Sequence, residues 1–234
     1  MVLAAVAAFA GAFVQSAAGM GFALVLSPVL FAVMDPEEAV TTVLLLGAVL
    51  CALVLFESRR VGTHGLGRLM LPAAPGLAVG VVVLVALSKE ALQIGVGAVV
   101  VAAAVWQLLK GAAALRLSAA VAGFTSGVLT TTLGVNGPPL ALWLESEGVQ
   151  PAVFRATLAA AFLILDIAGI ALIVSKEGVD TVDPGQLAAL LACVLAGYGL
   201  GAAGFRRLDA ERFSVVVLSI VICTGLASIV AGIL

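Results

Sequence analysis

Apolar runs long enough to cross a bilayer follow one another along nearly the whole chain, and two of them are broken near the middle by glycine and proline. A spanning helix needs about 20 apolar residues. Eight segments meet that pattern: 2–33, 39–56, 66–87, 91–109, 117–144, 152–175, 186–205 and 213–233. Of the 234 residues, 63% are apolar and 10% charged, and the mean hydropathy is +1.28. Soluble domains carry roughly 25% charged residues, so this composition predicts an all-α integral membrane protein. Little chain remains for an extramembrane domain, which places the function inside the bilayer. The apolar stretch 2–13 has no basic residue ahead of it, and the first Arg is Arg59. No cleavable leader is therefore expected.

The two broken segments are 1 and 5. Segment 1 reads Gly19-Met20-Gly21-Phe22, with Pro28 beyond, and segment 5 reads Gly134-Val135-Asn136-Gly137-Pro138-Pro139. Gly19 and Gly134 suit the C-terminal cap of a first half-helix, because glycine accepts left-handed backbone. Pro138 or Pro139 suits the first turn of a second half-helix, where the missing N–H costs nothing. The second half-helices are then expected to begin near Gly21 and Gly137.

The two halves of the chain also align. Gly11 and Gly21 match Gly127 and Gly137 at an offset of 116, and Pro36 and Thr42 match Pro151 and Thr157 at 115. Leu66, Leu69, Gly76, Gly80, Leu87 and Glu90 match Leu187, Leu190, Gly197, Gly201, Leu208 and Glu211 at 121. This pattern reads as a duplication, residues 1–110 and 111–234, within one membrane domain.

Charge placement bears on topology through the excess of Lys and Arg on the cytoplasmic side. If all eight segments cross once, the basic residues divide five to six between the two sides. If segment 5 enters and returns as a hairpin, one side holds Arg59, Arg60, Arg68, Lys110, Arg116, Arg155, Arg206, Arg207 and Arg212. The other side then holds Lys89 and Lys176. Nine against two is a real bias, and it puts the nine in the cytoplasm. Segment 1 moves no basic residue either way, so its hairpin is inferred from the repeat. Each half then comprises one broken, re-entrant hairpin plus three transmembrane helices, and the halves are inverted. Inverted repeats with broken helices near the midplane are a recurring plan of secondary transporters.

The N-terminus of a half-helix carries unpaired N–H groups and roughly half a positive charge. Two such ends meeting at the midplane would bind an anion; the bland alternative is that the glycines and prolines only kink helices for packing. Polar residues crowd the breaks. Gln15 and Ser16 precede Gly19, Thr131 and Thr132 precede Gly134, and Asn136 sits in the second tip. The candidate substrate-binding set is therefore Gln15, Ser16, Gly19, Gly21, Thr131, Thr132, Gly134, Asn136, Gly137 and Pro138. The competing reading of the hydroxyls is that they bond carbonyls of their own helix.

Asp166 is the one acid deep in a span. An intramembrane acid is by default a candidate proton or ion relay, against the alternative of a protonated carboxyl bonded to a neighbouring helix. Arg155 and Thr157 follow Pro151 at the mouth of the second hairpin, where Arg155 either draws anions in or anchors the helix end. His64 is expected to be solvated in a cytoplasmic loop, and Trp106 and Trp143 to anchor at the membrane interface. Cys51, Cys193 and Cys223 read as small core residues. With one His and no GxSxG, HExxH, P-loop or CxxC pattern, neither an enzyme nor a metal or cofactor site is expected. Eleven scattered Lys and Arg residues cannot form a phosphate-binding face, so a nucleic-acid partner is excluded.

Taken together, Gly11…Gly19-Met20-Gly21-Phe22…Pro28, Gly127…Gly134-Val135-Asn136-Gly137-Pro138-Pro139 and Arg155-Ala156-Thr157 resemble the TauE/SafE sulfite exporter family. The resemblance covers essentially the whole chain. It implies a multi-pass transporter of the bacterial or archaeal inner membrane that moves sulfite, an organosulfonate or a related small anion. Export is the direction the resemblance implies. The expected partners are the anion, lipid and, as candidate coupling ion, protons. A passive anion channel could use the same site without coupling, whereas a non-transporting scaffold would leave the paired breaks unexplained.

The charge split and the repeat together predict that both termini are extracytoplasmic. A reporter fused after Leu234 should be active outside the cytoplasm, and activity confined to the cytoplasm would refute the arrangement. A cytoplasmic N-terminus alone would remove the first hairpin and keep the second.

Overall fold

The computed structural model describes residues 1–58, 61–108, 117–177 and 182–204, and residues 222, 223, 225, 226, 228–230, 232 and 233. Among them the regular structure is helical: α1 (Val2–Ala18), α2 (Phe22–Val33), α3 (Pro36–Glu57), α4 (Leu66–Ala86), α5 (Lys89–Leu108), α6 (Ala119–Leu133), α7 (Gly137–Ser146), α8 (Pro151–Glu177) and α9 (Pro184–Gly204). Further helical turns lie within 222–233; most of the eighth apolar segment lies outside the described residues.

Two length classes emerge. Among the described residues, α3, α4, α5, α8 and α9 are the five helices long and apolar enough to cross a membrane. By contrast α1, α2, α6 and α7 have 17, 12, 15 and 10 residues. At about 1.5 Å per residue, the longest of these reaches some 25 Å, short of a hydrocarbon core of roughly 30 Å. Both broken segments have thus become pairs of half-length helices. Within each pair the second packs against the first, and the Phe22 carbonyl comes to lie against Gly11.

Half-length helices need outside support, and close backbone contact provides it. The most extensive helix pairs are α4 with α6 and α1 with α9. Gly123 and Gly127 of α6 face the carbonyls of Leu69 and Ala73, where an added Cβ would fall 2.1 and 2.3 Å away. Gly76 and Gly80 of α4 face the carbonyls of Phe124 and Val128, each 2.3 Å from the same hypothetical atom. On the other side Gly197 and Gly201 of α9 face the carbonyls of Phe9 and Phe13 at 2.3 and 2.7 Å. Small residues are the usual means of bringing membrane helices this close, since lipid leaves no hydrophobic drive between them. Thr131 and Thr132 add hydroxyl bonds to the Leu77 and Gly80 carbonyls at 2.8 and 3.0 Å. On the outer face of α4, Leu71, Val82 and Val85 are exposed, as suits lipid-facing positions. The interior is filled by Phe22, Leu26 and Leu30 of α2 and Leu44 and Leu50 of α3. Behind the first hairpin, α3 packs on α8, and these two helices supply the walls of the central site.

Gly80→Ala and Gly197→Ala should each lower stability in detergent by about 1–3 kcal/mol through overpacking. Gly199, which meets nothing within 4 Å, should instead tolerate alanine or gain up to about 1 kcal/mol in helix propensity. Thermal unfolding of the three variants checks this; equal shifts would show that close approach is not what holds the helix pairs.

Candidate functional site

The site is built from the two breaks. At the first, α1 ends on Gly19 at φ +80°, with the Gly19 N–H donating to the Gln15 carbonyl at 2.8 Å. Gly21, at φ +123°, turns the chain into α2. At the second, α6 ends on Gly134 at φ +69°. The Gly134 and Val135 N–H groups donate to the Thr130 and Leu129 carbonyls at 3.0 and 3.2 Å. Asn136 then leads into α7, whose first turn carries Pro138 and Pro139. All three positions at positive φ are glycine because a side chain is strained there. The caps and restarts fall where the sequence pattern places them.

Some of the polar groups freed by the breaks are met from within the protein, as a site away from water demands. The Gln15 side-chain oxygen accepts the Phe22 N–H at 3.2 Å, so α1 caps α2. The Ser27 hydroxyl of α2 donates to the Leu133 carbonyl at the end of α6, so the first hairpin also ties down the second.

Between the tips lies a cavity of about 10 Å³, roughly the room one water needs. Gln15 and Phe22 bound it on one side, and Gly134 and Asn136 on the other. Helix α3 contributes Gly47 and Cys51, and α8 contributes Phe162 and Asp166. The Asn136 amide nitrogen Nδ2 donates to Asp166 Oδ1 at 2.9 Å, and these residues are only 6% and 3% exposed. Gly47 makes room for the carboxyl group, since a Cβ there would stand 2.9 Å from Asp166 Oδ2. The Gln15 amide nitrogen reaches Cys51 Sγ at 3.5 Å. Among the described residues, no Lys or Arg lines the cavity. Its polar character comes from two amides, a thiol and one acid.

The sequence candidates divide into four groups. Gln15, Gly134, Asn136 and Asp166 converge on the cavity, while Gly19, Gly21, Gly137 and Pro138 form the tips around it. Ser16 donates to the Phe13 carbonyl of its own helix at 2.9 Å and lies against Gly201 of α9. Thr131 and Thr132 likewise spend their hydroxyls on α4 carbonyls. Arg155 and Thr157 belong to a separate polar cluster. Arg155 Nη2 meets Glu57 Oε2 at 3.4 Å, and its stem packs against Gly19. Thr157 accepts the His64 backbone N–H at 2.9 Å and donates to the Val153 carbonyl at 2.7 Å.

Three expectations change. His64 is not simply solvated: its Nε2 lies 3.1 Å from Glu147 Oε2, and its ring stacks on Trp143 with centroids 5.7 Å apart. Trp143 is no interface anchor, being 3% exposed and packed where any Cβ at Gly65 would collide with it. Cys51 is buried as expected, but Cys193 is partly and Cys223 openly exposed. Sequence reading also missed Gly47, Phe22 and Phe162 as lining residues. A lone glycine within an otherwise bulky span was the available signal for Gly47.

The family model described as Sulfite exporter TauE/SafE matches residues 3–228, nearly the whole chain. No curated protein and no solved structure matches it.

Gly47→Ala should force the Asp166 carboxyl aside and cost about 1–3 kcal/mol of stability. In an Asp166→Ala background most of that cost should vanish, because the contact is gone. Unfolding of the two single variants and the double variant closes the cycle. An equal Gly47→Ala cost in both backgrounds would deny the contact.

Proposed function

The chain belongs to the sulfite exporter TauE/SafE family, and we propose that it is a secondary transporter of a small sulfur oxyanion or sulfonate held between the two hairpin tips. The observation that carries this reading is the convergence of two half-helix N-termini and the Gln15 and Asn136 amides on one cavity that no Lys or Arg among the described residues lines. An anion there is met by helix dipoles and neutral donors. The cavity as it stands holds about one water's volume, too little for a sulfur oxyanion, and Gln15 already occupies the Phe22 N–H. The tips as they stand are too close together for that anion. Loading requires the tips to part and Gln15 to yield its place, behaviour that suits a carrier better than an open channel.

The inverted-repeat reading has support in the packing. Under the repeat α1 corresponds to α6 and α4 to α9, and the pairs α1 with α9 and α4 with α6 exchange with each other. Gly47 with Phe162 and Cys51 with Asp166 are both related by the offset of 115, and all four line the same cavity. The substrate then lies near the axis relating residues 1–110 to 111–234, and the two clasped units, α1 with α9 and α4 with α6, rock around it. Asp166 is the candidate coupling group, with protons as the coupling ion. Arg155, paired with Glu57 near Gly19, guards the approach. The charge bias of the loops orients the protein in the inner membrane with its basic loops in the cytoplasm, and export follows the family.

A hydrogen bond to a charged ligand contributes about 1.5–3 kcal/mol, and about 1.4 kcal/mol is tenfold in affinity. Asn136→Ala should therefore weaken sulfite or methanesulfonate binding about tenfold or more. Gly137→Leu should do at least as much by filling the gap toward Phe162 and Met20, which lie 3.6 and 3.7 Å from a Cβ at that position. Arg155→Gln should act mainly on entry rate and its salt dependence. Binding and proteoliposome flux of folded variants are the test. If Arg155→Gln alone destroyed binding while both tip variants bound normally, the site would lie elsewhere.

A further inference from the structure

Resting on the anion site just proposed, we infer that Asn136 is a donor shared between Asp166 and the transported anion, so that one proton and one anion bind together. The geometry is specific. Asn136 sits at the tip of the second hairpin, and its amide points across the cavity to Asp166 Oδ1 at 2.9 Å. A carboxylate is acceptor-only, whereas a protonated carboxyl gains an O–H donor. With Asp166 ionised, the cavity already holds a negative charge and the Asn136 N–H is engaged, so an entering anion finds repulsion and one donor fewer. Protonation reverses both terms. The charge is neutralised, the Asn136 amide is held less strongly by a neutral acceptor than by a carboxylate, and the Asp166 O–H becomes a further donor to the anion.

Among the described residues, the lining leaves no other carboxyl group to perform this exchange. Of the helices packed on α8, α3 presents Gly47 and Cys51 to the cavity, and the α6–α7 break presents Gly134 and Asn136. Helix α4 lines none of it, while α1 and α2 contribute Gln15 and Phe22 from the opposite side. Cys51 is the other titratable residue there, and it takes the Gln15 amide. Arg155 is occupied with Glu57, and Glu147 with His64. The carboxylate takes up one proton, the anion brings one negative charge, and the loaded carrier changes its net charge by zero. Such a carrier is electroneutral for a monoanion and runs in whichever direction the product of proton and anion activities falls. Unloaded return of the carrier requires Asp166 to release its proton after the anion has left.

The test uses methanesulfonate, which stays a monoanion over the working pH range, beside sulfite, which does not. Binding one methanesulfonate to the purified full-length protein in weak buffer should take up about one proton, and its affinity should fall roughly tenfold per pH unit once Asp166 is ionised. In Asp166→Asn, which keeps the size and an acceptor for Asn136, the pH slope should disappear and flux should become electrogenic. Asn136→Leu should weaken binding while retaining the slope. Anion binding without proton uptake, or a slope that survives Asp166→Asn but is lost in Cys51→Ser, overturns the inference and leaves the anion site standing. Failure of the unmodified protein to bind either anion at any pH overturns the site itself. The proton-uptake measurement needs no variant, so it decides the matter even where Asp166→Asn does not fold.

Discussion

Backbone hydrogen bonds broken where no water can replace them are the constraint from which the rest of this protein follows. Each hairpin tip interrupts a helix inside an apolar bundle, and every freed N–H or C=O needs a partner from the protein. Gln15 meets the Phe22 N–H and Ser27 meets the Leu133 carbonyl. That requirement explains why polar side chains bunch at the breaks in a chain that is otherwise 63% apolar. It also explains why the tips sit together, because Ser27 lies on one hairpin and Leu133 on the other.

A half-length helix cannot stand by itself in a bilayer, and the glycine-lined contacts show what holds each one. The first hairpin's α1 is clasped by α9, and the second hairpin's α6 by α4. Each clasp joins an element from 1–110 to one from 111–234. The most extensive contacts therefore cross the middle of the chain, and the described residues form one interlocked body. The same interlocking places the wall helices α3 and α8 against each other at the centre, where both can line one cavity.

Much of this was legible in the residues themselves. Gly19 and Gly134 are readable as caps because left-handed backbone strongly favours glycine, and Pro138 as a helix start because proline removes a donor that has no use there. Asn136 and Asp166 each stood out as polar in apolar surroundings. Their pairing did not, because 30 residues and a chain reversal separate them, and the register of α8 against the second tip is set by packing. Thr131 and Thr132 illustrate the same limit. A hydroxyl near a break can face the cavity or a neighbouring helix, and Gly80 decides the matter by letting α4 approach closely enough to take both bonds. Trp143 failed for a related reason: its place near a segment end suggested a lipid boundary, but the 61–65 loop folds over it and offers the His64 ring.

Why such a site should rely on neutral donors becomes clear from what a carrier must do. Binding has to be favourable enough to take the ion from water and weak enough to release it. A fixed guanidinium at the midplane would hold an oxyanion through a bidentate, charge-assisted bond in a medium that magnifies charge interactions. Release would then be the slow step. Amides and helix ends offer smaller increments, each of which is withdrawn when a tip moves. In the coupling proposed above, Asp166 adds the complementary element, a charge that is absent while the anion is held and present once it has gone. With Gly47 leaving space for that carboxyl and Asn136 within hydrogen-bond reach, such a cavity would discourage rebinding after release, and among the described residues no positively charged side chain lines it to be neutralised.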